Sequence, residues 1–287
     1  MSYVLEANNL CKTFPGGFEL KNVSFSVPSG YITGFIGRNG AGKTTTLKVI
    51  LGLSPMDSGS VSIFGRSLPE HEIECKQDIG VVLGGFSYYE TKKLKSVTAV
   101  YKRFYENWSD ERYRDLLKEF ELDENKRIKE LSAGMKVKYA LALALSHGAK
   151  LLILDEPTSG LDPVSRDEII DIFREFVSDG ERSILFSTHI TSDLDKCADH
   201  IVYIKNGEIA MIGDREQIID GYRLVQGGHD ELTASLRAAL AGVKETPFGF
   251  TGLIRESDLH LTNGLKTAKA DIESIMLYTE KYEHHEG

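Results

Sequence analysis

Gly37-Arg38-Asn39-Gly40-Ala41-Gly42-Lys43-Thr44-Thr45 follows the apolar run Tyr31-Ile32-Thr33-Gly34-Phe35-Ile36 and precedes a segment that reads as a helix from Thr44 to Leu51. The nine residues fit G-x-x-x-x-G-K-[ST], and the strand before them and helix after them are the context in which that pattern binds phosphate. Each position has a physical reason. Gly37, Gly40 and Gly42 let the backbone turn where a side chain is disfavoured and bring N–H groups against phosphate oxygens, with Arg38, Asn39 and Ala41 completing the loop. Lys43 supplies a point charge for the outer phosphates, and the Thr44 hydroxyl is placed to ligate Mg²⁺, with Thr45 beside it. The helix start directs its dipole at the same anion. The stretch therefore points to a nucleoside triphosphate.

Composition bounds the rest. The chain has 287 residues, 41% of them hydrophobic, enough for one large core and a smaller appendage. A net charge of −9 and a pI near 5.5 argue against nucleic acid as a partner, because that contact needs massed Lys and Arg. Cys11, Cys75 and Cys197 are scattered and lack metal or disulfide spacing, which suits a reducing compartment. The longest apolar run, around residues 139–145, falls far short of the roughly 20 residues that span a bilayer. Any membrane contact is expected through another chain.

Read in order, residues 3–30 suggest short strands, with Val23, Phe25 and Val27 alternating against Ser24 and Ser26. Further strands are expected at 61–64, 79–83, 151–154, 183–186, 201–204 and 208–212, the last two joined by an Asn206-Gly207 hairpin turn. Between about 85 and 148 helical spacing replaces alternation, and helices are predicted near 96–107, 110–120 and 134–147, with another near 164–178. Strands alternating with helices around the loop predict an α/β fold with a mainly parallel sheet, into which the helical stretch is inserted. The expected division is a nucleotide-binding domain over 1–220 and a small α/β appendage over 221–287, with helices near 230–241 and 271–282. His284 and His285 are expected to be solvent-exposed bystanders rather than metal ligands.

Two more stretches carry chemistry. Leu151-Leu152-Ile153-Leu154-Asp155-Glu156 is an aliphatic strand ending in two carboxylates. Asp155 is a candidate Mg²⁺ ligand beside Thr44, and Glu156 a candidate general base for an attacking water. Leu131-Ser132-Ala133-Gly134-Met135 opens an Ala- and Leu-rich helix whose N-cap, Ser132, presents a hydroxyl and free N–H groups to an anion. A second anion-seeking helix start makes sense if it meets the γ-phosphate held by another copy of the chain.

The ordered set 37–45, 131–135, 151–156, Ser159-Gly160-Leu161-Asp162 and Thr188-His189 resembles the ATP-binding subunit of an ABC transporter over roughly residues 3–220. The resemblance implies a P-loop ATPase with an N-terminal antiparallel β subdomain. It also implies a head-to-tail dimer, homodimeric or heterodimeric, clamping two ATP–Mg²⁺ between one subunit's phosphate loop and the other's Ser132, Ala133, Gly134 and Met135. Asp162 would lie between the two sites, His189 would contact the γ-phosphate, and Phe14 would stack on adenine. A permease chain would hold the subunit at the cytoplasmic face of the membrane. Within the family the text is most similar to exporters of amphipathic or antimicrobial peptides, of the bacitracin-resistance and phenol-soluble-modulin types.

Two departures stand out. Gly84-Gly85 replaces the glutamine usual after the strand at 79–83, leaving Tyr88, Tyr89 and Glu90 as the nearest polar side chains. The signature reads Leu-Ser-Ala-Gly-Met where Leu-Ser-Gly-Gly-Gln is common. These departures give weight to an alternative, an ATP-gated regulatory module with little turnover, against which Glu156 and His189 speak. The family's DNA-repair and translation ATPases carry coiled-coil arms or a second cassette, and these 287 residues read as neither, so that role is not expected. A basic cluster, Thr91-Lys92-Lys93-Leu94-Lys95 with Lys102 and Arg103, reads either as a solvated helix face or as a surface turned toward the permease and the acidic leaflet.

Overall fold

The computed structural model describes residues 2–68, 70–83 and 89–281. The chain divides into two compact units, one ending at Ile212 and the second beginning at Gly213. The division falls ahead of the position 221 expected from sequence, because the helix following Asp214 packs with the strand at Tyr222–Gly227 in the second unit.

In the first unit β1 (Tyr3–Thr13) and β2 (Glu19–Pro28) form a long antiparallel pair, interrupted by register shifts. The sequence suggested shorter strands here; the bulges let one strand continue past positions such as Asn9 and Asn22, both in the left-handed region. Next come β3 (Ile32–Ile36), α1 (Lys43–Ile50), β4 (Ser58–Ile63), β5 (Arg66–Leu68), α2 (Glu72–Gln77) and β6 (Ile79–Leu83). The inserted helices are α3 (Leu94–Tyr101), α4 (Asp110–Glu119) and α5 (Ala133–Ser146), with a 3₁₀ turn at Lys102–Phe104. The helix predicted over 96–107 is thus earlier and shorter. The chain returns through β7 (Leu151–Asp155), α6 (Pro163–Val177), β8 (Ser183–Thr188), α7 (Thr191–Cys197), β9 (His200–Lys205) and β10 (Glu208–Asp214).

One four-stranded sheet runs β2-β1-β4-β5 and is antiparallel throughout. The central sheet runs β10-β9-β3-β8-β7-β6, and β9, β3, β8, β7 and β6 are mutually parallel. β3 and β8 are buried at every residue, as strands covered on both faces must be. Phe35, Leu151, Ile153, Leu185 and Val202 join α1 and the antiparallel sheet in one core. On the central sheet Phe186 meets Phe173 of α6, their rings 5.7 Å apart. Registers align the carboxyl ends: Ile36 lies opposite Thr188, and Ser187 opposite Asp155. Loops leaving β3, β7 and β8 therefore emerge at one edge, the position where open α/β sheets bind ligands.

The helical insertion has its own polar core. The Thr98 hydroxyl lies 2.8 Å from the hydroxyls of both Tyr113 and Tyr139, joining α3, α4 and α5. Gln77 clasps the insertion at its root: its amide donates to Phe104 O and accepts from Glu106 N.

The second unit contains α8 (Arg215–Asp220), β11 (Tyr222–Gly227), α9 (Ala234–Ala239), β12 (Leu240–Thr246), β13 (Gly249–Arg255), β14 (Lys266–Lys269) and α10 (Ile272–Lys281). The strands form a sheet ordered β12-β13-β11-β14 over Val225, Leu236, Leu240, Phe250 and Ile254. The helix predicted near 230–241 is reduced to Ala234–Ala239: Thr233 caps its start, and Leu240 already has extended backbone and pairs with Ile254. The four strands of this unit carried no sequence signal as clear as those of the first.

Candidate active site

The phosphate-loop pattern folds into a turn between β3 and α1. Ala41 N donates to Arg38 O at 3.1 Å, and Gly42 caps α1 at φ 115°, a conformation that excludes a side chain. A Cβ there would also press on Leu20 and Phe18, so glycine is required twice over. Gly37, Ala41, Gly42 and Lys43 are buried, whereas Arg38, Asn39, Gly40 and Thr44 are exposed. The Lys43 side chain is only 5% exposed, and its ammonium donates to Gly37 O at 2.7 Å.

β7 delivers the two carboxylates. Asp155 accepts from Thr44 Oγ1 at 2.8 Å and from Ser187 Oγ at 2.6 Å. Glu156 stands at φ 51°, in the left-handed region that costs a non-glycine residue about 1–3 kcal/mol. Its N–H donates to the carbonyl and hydroxyl of Ser187. The outcome is a carboxylate reaching two ways: Oε1 is 3.1 Å from Lys43 Nζ, and Oε2 is 2.5 Å from His189 Nδ1. His189 itself leaves β8 just ahead of α7.

Lys43, Glu156 and His189 line one cavity of about 460 Å³, together with Phe18, Asn39, Gly40, Gly42, Thr44, Thr45 and Ser159, while Asp155 and Ser187 are outside its lining. Eight sequence candidates, Asn39, Gly40, Gly42, Lys43, Thr44, Thr45, Glu156 and His189, thus converge from three segments far apart in the chain. Phe14 is outside the lining. Its ring is 6.2 Å from that of Phe18, and Lys12 sits over it at 5.5 Å. Phe18 and Ser187 are not marked by the sequence, and Ser159, part of the motif Ser159-Gly160-Leu161-Asp162, is given no role by it. Ser187 left a signal, since Ser187 and Thr188 are the polar residues that follow the apolar run 184–186.

Ser132, Ala133, Gly134, Met135 and Asp162 are also outside that cavity. Ser132 is exposed and caps α5, accepting from Met135 N at 3.2 Å. Asp162 caps α6, accepting from Val164 N, Ser165 N and Ser165 Oγ, and these bonds hold its carboxyl below the usual carboxylate range. The two caps are neighbours: a Cβ on Gly134 would meet Ser165 at 3.1 Å. Gly84, Gly85 and Tyr88, where the glutamine departure falls, lie outside the described residues, as do His284 and His285. Among the described residues no group of three or more His, Cys, Asp or Glu side chains forms a metal centre, and no helix is long and apolar enough to cross a membrane.

A family model described as ABC transporter matches residues 20–159. The bacitracin transport ATP-binding protein BcrA of Bacillus licheniformis is 30% identical, over 73% of this chain and 69% of its own. The chain belongs to the ATP-binding subunits of ABC transporters. It is thus an ATPase subunit, and three of the motif segments, 37–45, 151–156 and 188–189, contribute to the cavity at the sheet edge. The ABC transporter ATP-binding protein YtrB of Bacillus subtilis is 27% identical over 94% of this chain and 92% of its own, a span that includes most of the second unit. A solved structure of the ATP-binding subunit of an ABC transporter superposes with a TM-score of 0.67 at 30% identity, covering 75% of this chain and 91% of that one.

Proposed function

We propose that this subunit pairs with a second ATP-binding subunit around ATP and Mg²⁺ and drives a separate permease that exports amphipathic or antimicrobial peptides. The observation that carries the pairing is the separation of the motifs. Lys43, Thr44, Glu156 and His189 share a cavity, whereas the capped helix starts at Ser132 and Asp162 are exposed beyond it.

In this reading the N–H groups of residues 37–45 and Lys43 hold the triphosphate, and the helix α1 dipole adds to that hold. Phe14 and its neighbour Phe18 supply rings for the adenine. The oxygens of Thr44 and Asp155 suit Mg²⁺, which takes one or two protein oxygens and completes its shell with phosphate and water. Bound there, the ion would neutralise charge on the phosphates. Glu156 accepts the proton of the attacking water, and His189, hydrogen-bonded to it, orients the carboxylate and contacts the γ-phosphate. The N–H groups and hydroxyl at Ser132, with Gly134, close the site from the second subunit. Asp162 lies between the two sites.

Phosphate release tests the enzymatic core of this reading. Glu156→Gln lowers turnover by about 10²–10⁴-fold while ATP affinity is kept. Equal, near-background rates for both chains would favour the ATP-gated regulatory module instead.

Export of peptides rests on the likeness to BcrA, whose name assigns it bacitracin transport. Docking on a permease at the cytoplasmic membrane face is supported by an open apolar groove of about 370 Å³ lined by Tyr89, Lys92, Val97, Val100 and Phe104. Lys93 and Lys95 adjoin this groove in sequence, although Lys95 also donates to Asn125, and Lys102 is paired with Asp110. Reversing Lys92, Lys93 and Lys95 to Glu weakens recovery with membranes and leaves ATP affinity intact; unchanged recovery discards this surface.

A further inference from the structure

Thr158 and Asp193 are fully buried and neither lines the phosphate cavity. The Thr158 hydroxyl donates to Asp193 Oδ2 at 2.6 Å. Among the described residues Asp193 Oδ1 accepts no hydrogen bond and instead faces Arg166 Nε at 3.8 Å, a nitrogen that equally lacks a hydrogen-bond partner there. A carboxylate sunk in a protein is costly unless well paired, and an apolar contact of the same shape would hold these segments at less cost. The chain keeps a polar junction here, and its location gives the reason.

Thr158 lies just beyond Glu156 on the loop leaving β7. Asp193 lies in the first turn of α7, just beyond His189. Arg166 lies one turn into α6, where its N–H bonds to the carbonyl of Asp162. One carboxylate thus touches all three segments that carry Glu156, His189 and Asp162. α7 needs such an anchor: its N-cap is Ile190, which offers no side-chain hydrogen bond to hold the helix start.

We propose that Asp193 is a positioning residue for ATP hydrolysis, which through Thr158 and Arg166 sets the register between the Glu156 and His189 segments and so maintains their 2.5 Å contact. The proposal rests on the roles given above to Glu156 and His189. Asp193 is outside the lining of the phosphate cavity; its effect passes through the geometry of the pair, where displacements near 1 Å can cost about a hundredfold in rate.

The test is steady-state ATPase kinetics on the purified full chain, with thermal unfolding measured alongside. Thr158→Val removes the hydroxyl and keeps the shape. It lowers kcat by about tenfold or more, with KM for ATP within about threefold of the parent, because the interaction lost acts on the reaction and not on substrate binding. Thr158→Ser, which restores the donor, recovers the rate. In a His189→Ala background Thr158→Val causes no further loss, because the hydroxyl works through that histidine. Parental kcat for Thr158→Val overturns the proposal, and so does an equal fall with and without His189. If Thr158→Val does not fold, Arg166→Gln on the half-exposed side of the junction is read the same way. Glu156→Gln separates the layers: full turnover there overturns the site itself, whereas its loss beside an unaffected Thr158→Val overturns only the role of Asp193.

Discussion

Glu156 shows how much one residue is asked to do. Its backbone takes a left-handed conformation, its N–H is held by Ser187, and its two oxygens divide between Lys43 and His189. The Asp-Glu pair ending an aliphatic strand was legible in the sequence; the strained turn that aims Glu156 was not, because it depends on a serine from a different strand. The aromatic side of the cavity was read less completely. Phe14 follows from the family resemblance, and Phe18 becomes visible only once β2 folds against the loop, where its ring occupies space that a Gly42 side chain would need. Stacking a base on an aromatic is worth about 1–3 kcal/mol, so Phe14→Ala weakens ATP affinity by roughly five- to a hundredfold. Equilibrium binding of a fluorescent ATP analogue measures it. Unchanged affinity in Phe14→Ala alongside a loss in Phe18→Ala assigns the stacking to Phe18.

Among the elements, the root of the helical insertion carries a titratable group that the sequence did not mark. His147 ends α5, fully buried, with its ring stacked on Tyr105 at 3.8 Å and its Nδ1 3.1 Å from Gln77 O. Burial lowers its pKa from 6.5 to about 4. The unfolded chain therefore binds a proton that the folded chain refuses between those values. The contribution is fully present above about pH 6.5 and is lost as pH falls toward 4, amounting to the order of 3 kcal/mol. Urea unfolding between pH 7 and 4.5 reads this slope, and His147→Gln flattens it; an identical slope in the variant removes His147 as the cause. The short helix α7 has a different constraint. A Cβ at Gly34 would come within 2.1 Å of Leu194, so α7 packs on β3 only over a bare backbone. Gly34→Ala overpacks that contact, costing about 1–3 kcal/mol of stability and lowering ATP turnover as the segment carrying His189 shifts. Parental melting and turnover together would show that the Leu194 side chain yields without moving the helix.

At the scale of the whole molecule the phosphate cavity lacks the signature residues of its own chain, and this is the reason for pairing it with a second subunit. In a Glu156→Gln background, where ATP is held uncleaved, ATP–Mg²⁺ converts the chain to a dimer in sedimentation velocity. Adding Ser132→Glu sets a carboxylate against the γ-phosphate and keeps the chain monomeric, at a capping cost to the fold of about 1 kcal/mol. A dimer that survives Ser132→Glu places the interface elsewhere. Residues 37–45 and 151–156 determined by themselves the phosphate loop and a buried strand ending in two carboxylates, and with residues 131–135, 159–162 and 188–189 the family, because each stretch carries its chemistry in adjacent residues. The tertiary structure alone decided what depends on registers between distant strands: that Ser187 braces Asp155 and Glu156, that Phe18 enters the cavity, and that Asp193 gathers three segments. It also decided the sheet of the second unit, whose strands show no sustained alternation of buried and exposed residues. Contacts between residues far apart in the chain leave no period in the sequence, and only the folded backbone brings them within hydrogen-bonding reach.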